Sequence, residues 1–561
     1  MKRWSGAALF LAAAVLFLIA NRGAYEGFFQ DDELDNISWT PAVSAGVYVR
    51  ELVSPRLAES NFRPVGHLFF NAATRAFGLD FPKYIFPLHA LHLLNVWLLW
   101  RLARRLGCNR WAASAGAILF SFHMACFDIY WKPMYVFDLL CGTFVLSSLL
   151  LWTGERWVLS FAAFWLAYKS KELAVMLPFV LLGYEYWLGK RRWKPLLPFL
   201  LASFTFGVQA LIANRGRSDV YAFRFQGGGL RETARYYSDR ILMIPFGGVA
   251  LPFVPLVVRD RRVWFGIVAL FLFFAPLTFL PGRVFAAYCY VPLIGAALAL
   301  AAIADHGHRV FVAIFFLVWI PFNMIHLRMN RRQALAIADE NRRYVAGIRE
   351  FASQHPGMRR FVFDGRPFAL HSWGVKGALA YFYRTNQIDV VAADDAEAQK
   401  LLHSGEPVAV LTWDPLRSRV LAAARRQDTP LEPFIKMGPL APIWQLGQGW
   451  FSSEGSYRWT RPVARATLQR PEGARRFELT VNVNPDLIRD LGRSRVRVWL
   501  NETPLGERVF TRNGWQTAEW ELAPAPAGPV PVRLEADPYR TPRDNREFGV
   551  AVVSFGFKPR E

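Results

Sequence analysis

Cysteine is nearly absent from this chain: there are four in 561 residues, Cys108, Cys126, Cys141 and Cys289, each in or beside an apolar run. Thiols so placed exclude a disulfide framework, and their spacing suits no metal site. Acidic charge is short as well, with 44 Asp and Glu against 66 Lys and Arg and a formal net charge of +22. Such a balance invites nucleic acid, but the cations concentrate between apolar runs and no stacking or zinc motif accompanies them. Nucleic acid is therefore excluded as a partner, and membrane topology and lipid headgroups are left to explain the charge. Internal repeats and long low-complexity tracts are missing, and residues 523–530, rich in Pro and Ala, read as a loop.

Apolar residues are what the chain has in excess. It is 53% hydrophobic with a mean hydropathy of +0.17, although 20% of it is charged. The two facts fit together only if the chain is segregated. Apolar runs of about 17 to 25 residues, the length that spans a hydrocarbon core, fill the first part and end near Leu327. Spans are expected near residues 4–20, 84–102, 111–128, 134–152, 156–168, 172–188, 195–213, 236–257, 263–280, 284–302 and 309–327, about eleven helices in all. The first, preceded by Met1-Lys2-Arg3, also has the shape of a secretory signal peptide. No small-x-small cleavage site precedes Asn21-Arg22, and the run is taken as a membrane helix.

Lys2-Arg3 and the basic loops at 101–110, 190–194 and 259–262 fall on one side of this arrangement, which the positive-inside rule makes cytoplasmic. The opposite face receives the long loop 21–83, the turns near Trp131 and Lys169, the loop 214–235 and Pro281-Gly282-Arg283. An odd helix count carries everything after Arg328 to that outer face. A re-entrant pair between Tyr135 and Lys169 would invert the later assignments.

Beyond the last span, residues 330–353 have helical periodicity and a mixed-charge face. Short apolar strands follow at 360–363, 389–392 and 408–413, with a helix near 394–402, which indicates a small α/β unit. From Gly447 the alternation has period two, at 477–483, 495–500, 516–522, 530–536 and 550–557, as in an antiparallel β-sandwich. The expected fold is a polytopic α-helical membrane domain over 1–328, a small α/β domain over 329–440 and a β-sandwich over 441–561, with Ser453 exposed on the last.

Chemistry is concentrated on the outer face. Asp31, Asp32 and Glu33 stand in a row a few residues beyond the first span. Adjacent like charges repel, which favours protonation of one of them unless a cation or metal is near. A carboxylate so placed can take the proton from an attacking hydroxyl; the plain alternative is a solvated acidic turn or a helix cap. Arg63 lies in the same loop, Lys171-Glu172 at a membrane edge and Arg283 before the tenth span. Arg and Lys are the side chains that hold a phosphate and stabilise it as it leaves, although cations near helix ends also snorkel to headgroups, the expectation for Lys169. Glu172 must enter a helix and needs a partner. Asp128 and Asp138 flank another outer turn as supporting groups or helix caps. His67, His89 and His92 lack a carboxylate at metalloprotease spacing and are expected to make interhelical hydrogen bonds, with no metal bound.

In order along the chain, the acidic cluster after the first span, Phe62-Arg63-Pro64, the stretch 87–106 with His89, His92 and Asn95, Ser170-Lys171-Glu172 leading to Leu177-Pro178, and Tyr288-Cys289-Tyr290-Val291-Pro292 resemble the GT-C superfamily of polyprenyl-phosphate-sugar-dependent glycosyltransferases. The resemblance is nearest to the membrane part of the transmembrane O-mannosyltransferases with tetratricopeptide repeats and their bacterial relatives, and covers roughly residues 1–330. It implies a multi-helix membrane fold, a lipid-linked donor between helices, a catalytic carboxylate in the first outer loop and residence in a bacterial inner membrane. Residue by residue it implies Asp32 as base with Asp31 and Glu33 beside it, Lys171-Glu172 as the family's Lys-Glu pair, and Tyr288 and Tyr290 as its paired tyrosines. The Arg that usually precedes those tyrosines is Ala287 here, and Arg283 is the candidate to replace it. The repeats are absent, and the β-sandwich in their place looks like a carbohydrate-binding module.

The function so implied is inverting transfer of a sugar from a polyprenyl-phosphate donor to a lipid, glycan or protein acceptor. Arg63, Lys171 and Arg283 would hold the phosphate, and no cofactor or divalent cation is required. The rival is a transporter or assembly factor for envelope glycans, which would place polar residues at mid-helix along a path.

Overall fold

The computed structural model describes residues 4–56, 61–425, 429–541 and 544–558. The chain divides into two compact units. One comprises Met1–Phe29 with Thr40–Ala338, and the other Gln30–Trp39 with Asp339–Glu561.

The first unit is helical. Among the described residues five helices are long and apolar enough to cross a membrane: Phe81–Arg105, Pro133–Thr153, Lys194–Asn214, Arg261–Thr278 and Arg309–Gln354. Arg110–Ser121 and Met124–Trp131, bent by 42° at their junction, make a sixth if taken as one span. By length and apolarity the described residues thus give five or six spans against the expected eleven or so, and Phe10–Ala20, Gly247–Val257 and Pro292–Asp305 are shorter apolar helices.

The shortening has local causes. The run read as one span at 236–257 breaks after the helix Gly227–Ile241, where Met243 and Phe246 take left-handed φ of 57° and 56° that no helix continues through. The run at 172–188 is a 3-10 turn, Glu172–Met176, followed by Leu177–Trp187 with Pro178 in its first turn. The span at 156–168 is the 14-residue helix Trp157–Ser170. The last span and the helical stretch after it, read separately from sequence, are one helix, Arg309–Gln354, with Pro321 inside it. The boundary between the two units falls within this helix.

Polar contacts sort the helix ends of this unit. Arg262 pairs with Asp305 at 2.7 Å, and Asp305 accepts from the backbone and side chain of Asn109 at 2.8 and 2.6 Å. Arg105 donates to the carbonyl of Thr153 at 3.2 Å, and the neighbouring Glu155 meets Lys190 at 3.0 Å and Arg192 at 2.8 Å. The basic loops 101–110, 190–194 and 259–262 are thus joined at one end of the unit.

In the second unit, the strands Asp389–Ala392, Arg360–Asp364 and Val408–Asp414 run parallel in that order, and Arg419–Arg425 closes the sheet antiparallel to the last of them. Val408–Asp414 is buried along its whole length, which is why it reads as a continuous apolar run. The C-terminal part is antiparallel. One sheet orders Thr503–Phe510, Ser494–Leu500, Gly528–Ala536 and Val463–Arg470; the other orders Gly514–Glu521, Arg476–Val483, Ala551–Lys558 and Phe434–Lys436. Phe434–Lys436 pairs with Ala551–Lys558, so this sheet begins ahead of residue 441. Val463–Arg470 and Thr503–Phe510 are strands that the sequence pattern did not single out.

Asp364, at the end of its strand in the α/β sheet, and Arg458, on the short strand Arg458–Trp459, form a buried ion pair that ties the two parts of this unit together. Ser453, expected at the surface, is buried because its backbone N–H donates to Asp364 Oδ1 at 3.2 Å.

Candidate active-site residues

The three cations singled out from the sequence lie in the first unit, each where a helix starts or stops. Arg63 is the N-cap of Pro64–Phe77, Lys171 separates Trp157–Ser170 from the turn Glu172–Met176, and Arg283 follows Arg261–Thr278. Arg63 grips Glu172 with two bonds, Nε to Oε1 at 2.7 Å and Nη2 to Oε2 at 3.1 Å, the fork geometry that fixes both groups. Glu172 thereby has the partner its position demanded. Lys171 Nζ meets Asp138 Oδ1 at 2.5 Å, and the Asp138 side chain is only 3% exposed.

Tyr288 joins Lys171 to Arg283. The Lys171 ammonium lies 4.4 Å from the centre of its ring, and Arg283 Nη2 donates to its hydroxyl at 3.3 Å. Three cations and two carboxylates leave the group with a formal surplus of positive charge. A cleft beside Arg63 and Glu172 is lined also by Arg56, Phe62, Tyr168 and Lys169. Lys169, expected to reach towards headgroups, is instead buried, its ammonium 5.6 Å from the Trp165 ring and 5.9 Å from that of Phe206. Asp128 pairs with Lys132 at 3.2 Å, apart from these groups.

His67 supports the Arg63 turn. Its Nδ1 accepts from the Arg63 backbone N–H at 2.9 Å, its ring stacks on Phe62, and burial pulls its pKa down to about 3, so it is neutral. His89 and His92 lie deeper, each between a backbone carbonyl and a tyrosine hydroxyl: Tyr130 O and Tyr25 for His89, Ser121 O and Tyr290 for His92, all within 3.0 to 3.1 Å. Tyr290 also accepts from Asn95 Nδ2 at 3.0 Å. The two tyrosines therefore separate, Tyr288 going to the cations and Tyr290 to the helix interior. Among the described residues no three His, Cys, Asp or Glu side chains converge as a metal site.

The acidic motif belongs to the second unit. Asp31, Asp32 and Glu33 open the helix Asp31–Trp39, which packs on Ser372–Tyr383. The approach is close because of two glycines. A Cβ on Gly377 would stand 2.6 Å from the Leu34 carbonyl carbon, and one on Gly374 would stand 2.7 Å from Asp31 Oδ1.

The three carboxylates have different partners. Glu33 is buried and accepts from the Gln30 backbone N–H at 2.5 Å, a capping-box arrangement at its own helix's start. Asp31 accepts from the backbone N–H of His371 and faces His371 Nδ1 at 2.5 Å from its other oxygen. Asp32 is exposed and accepts from Trp373 Nε1 at 2.9 Å. The His371 and Trp373 rings stack with centres 4.6 Å apart. Neither residue stood out in the sequence, where a His-x-Trp at the start of a helix carries no signal of the aspartates it meets some 340 positions away.

No protein-family model matches the chain, and no curated protein matches it. Among solved structures it is similar to ArnT from Cupriavidus metallidurans in the apo state, at 12% identity over 76% of this chain and 98% of that one, with a TM-score of 0.44. It is also similar to the arabinofuranosyltransferase AftD from Mycobacteria, at 14% identity over 100% and 59%, TM-score 0.42, and to the arabinosyltransferase EmbB from Mycobacterium smegmatis, at 11% over 98% and 64%, TM-score 0.37. At these values the likeness bears on neither activity nor substrate.

Proposed function

We propose that this integral membrane protein is a glycosyltransferase that moves a sugar from a polyprenyl-phosphate donor to a hydroxyl acceptor by inverting single displacement, on the outer face of a bacterial inner membrane. The observation that carries the reading is the meeting of Lys171 and Arg283 on Tyr288, with Glu172, the residue after Lys171, bonded to Arg63. Cations from separate loops held together at helix ends suit an anionic headgroup whose tail stays in lipid, and such groups stabilise a leaving phosphate. The acidic motif supplies the proton acceptor, with Asp32, the most exposed of its carboxylates, the family-implied base. A donor with a single phosphate carries little charge, and the cations neutralise it without a metal.

The transporter reading gains no support from the polar residues deep in the helices. His89, His92 and Asn95 are each bonded to backbone carbonyls and lie in a closed interhelical network. The test is incubation of purified protein with a panel of radiolabelled polyprenyl-phosphate sugars and membrane extract. Incorporation into extract that depends on Lys171 and Arg283 is expected; no incorporation from any donor refutes the proposal.

A further inference from the structure

Lys169 is a buried cation without a polar partner. It stands in the last turn of the helix Trp157–Ser170 and is 6% exposed, and among the described residues its ammonium makes no hydrogen bond and no ion pair. What surrounds it is aromatic: the ring centres of Trp165, Tyr168 and Phe206 lie 5.6, 5.9 and 5.9 Å away. Ring faces attract a cation, but they leave its three N–H donors unbonded. Glu51 acts on it only through space, its own carboxylate being bonded to Arg50. Tyr168 is in the same condition, buried with a hydroxyl that has no partner among the described residues. Buried polar groups are ordinarily bonded, so two unpartnered ones side by side call for a ligand.

Both residues line the cleft that also holds Arg56, Arg63 and Glu172. Arg63 and Glu172 are bonded to each other, while Arg56 is exposed and its guanidinium has no partner among the described residues. Three cations against one carboxylate select an anion, and a phosphate accepts from an ammonium, a hydroxyl and a guanidinium at once. The surroundings say what carries it. The helix Trp157–Ser170 starts beside Glu155, which meets the basic loop at Lys190 and Arg192, so Lys169 is at the opposite end from that loop. Phe206, whose ring stacks on Tyr168 with centres 3.5 Å apart, belongs to the span Lys194–Asn214. The same span exposes Leu201, Phe204, Val208 and Leu211 at helical spacing, an apolar stripe for acyl chains.

We infer that the cleft binds the phosphate of an anionic membrane phospholipid, with Lys169, Tyr168 and Arg56 as its donors and the acyl chains along Lys194–Asn214. This is a second anion site, apart from the group formed by Lys171, Arg283 and Tyr288. It lies wholly in the first unit and does not depend on sugar transfer.

Binding of phosphatidylglycerol to the full-length chain in detergent is measured by native mass spectrometry for wild type, Lys169→Met, Tyr168→Phe and Arg56→Gln, with Lys83→Met as a control at an exposed ion pair. Melting temperature and binding of polyprenyl phosphate are followed in parallel. Loss of a charged donor should weaken phosphatidylglycerol binding by about 10- to 150-fold in Lys169→Met, and loss of a neutral one by about 2- to 10-fold in Tyr168→Phe, with Lys83→Met at the wild-type value. Polyprenyl-phosphate binding should be unchanged in all four variants.

Wild-type affinity for phosphatidylglycerol in Lys169→Met overturns the site. If the melting of Lys169→Met collapses, Tyr168→Phe decides, because it keeps the ring and loses only the hydroxyl; unchanged affinity there overturns the site as well. Displacement of the lipid by equimolar inorganic phosphate would make this a site for a soluble anion and overturn the lipid assignment. An equal loss of polyprenyl-phosphate binding in Lys169→Met would assign the cleft to the donor and overturn it as a second site.

Discussion

Replacing Arg458 by Met removes the cation from a pair in which Asp364 is fully buried and the Arg458 side chain is 2% exposed. Among the described residues, the Asp364 carboxylate would keep only the Ser453 N–H, and the Phe451 carbonyl would lose the guanidinium donor that lies 3.3 Å away. Removing one partner of a buried pair costs about 3 to 5 kcal/mol, because an uncompensated charge is left in a medium that solvates it poorly. In a domain of this size, 1 kcal/mol moves a melting temperature by about 2 to 4 °C, which makes the expected drop roughly 6 to 20 °C. Two compact units make a single melt ambiguous, so the assay should read the second unit alone.

Amide exchange followed by mass spectrometry in Val408–Asp414 and Arg476–Val483, one strand from each side of the pair, does this. The same energy accelerates globally exchanging amides by about 100- to 5,000-fold. Asp364→Leu combined with Arg458→Met should recover most of the loss, since an apolar pair of similar volume carries no desolvation penalty. Acceleration below about tenfold, or confined to residues near 458 while Val408–Asp414 is unaffected, would refute the view that this pair holds the α/β sheet and the sandwich as one cooperative unit.

On the proposed function, Lys171→Met should weaken polyprenyl-phosphate binding by about 10- to 150-fold, the worth of one charged hydrogen bond, and Lys171→Arg by less; a calorimetric titration decides. Gly377→Val forces a side chain against the Leu34 backbone and should cost about 1 to 3 kcal/mol, read as faster proteolysis within residues 30–39, with Gly377→Ser milder. His67 is held neutral with a pKa of about 3 against an ordinary 6.5, so its contribution to stability is complete above pH 6.5 and is lost as the pH falls towards 3; His67→Gln should flatten the stability profile over that window and leave it unchanged at pH 8. With the four native cysteines buried, a cysteine at the exposed Ser404 should react with a membrane-impermeant thiol reagent in cells with a permeabilised outer membrane; labelling only after full lysis would place the second unit in the cytoplasm.

Much of the architecture is written in local pattern, and the departures have local or long-range causes that can be named. Apolar length locates Phe81–Arg105 or Arg261–Thr278 directly, and period-two alternation locates Arg476–Val483, because burial on one side imposes it. Hydropathy is blind to the break after Ile241, since a left-handed residue such as Phe246 does not alter an apolar sum. Val463–Arg470 and Thr503–Phe510 are interrupted by charged or Pro-Leu-Gly segments and do not stand out as strands. At the site, the pairing of Arg63 with Glu172 follows from the rule that a carboxylate entering a helix needs a cation, although nothing local says which one. Glu33 as a cap was equally open to reading, three residues after the N-cap Gln30. The meeting of Asp31 with His371 depends on Gly374 and Gly377 opening one face of a helix far along the chain, and pattern does not transmit that.

That meeting changes what the second unit is for. A domain appended to a membrane enzyme can be thought of as an accessory that captures substrate, dispensable for the chemistry. Here the helix Asp31–Trp39 is built into it: Glu33 closes the helix's own start, Leu34 and Ile37 are buried, and both remaining carboxylates of the motif are bonded to side chains of the C-terminal unit. A helix of nine residues is marginal in water on its propensity alone, so its form depends on the face it packs against. Removing the C-terminal unit would then remove the conformation of the acidic motif as well as any acceptor site. On the proposed function, a chain ending within the helix Arg309–Gln354, ahead of Asp339, should keep polyprenyl-phosphate binding through Arg63, Lys171 and Arg283 and lose transfer altogether, because Gln30–Trp39 would remain in the chain without the helix Ser372–Tyr383 that it packs against. Full transfer by the truncated chain would show that the motif acts without its partner helix.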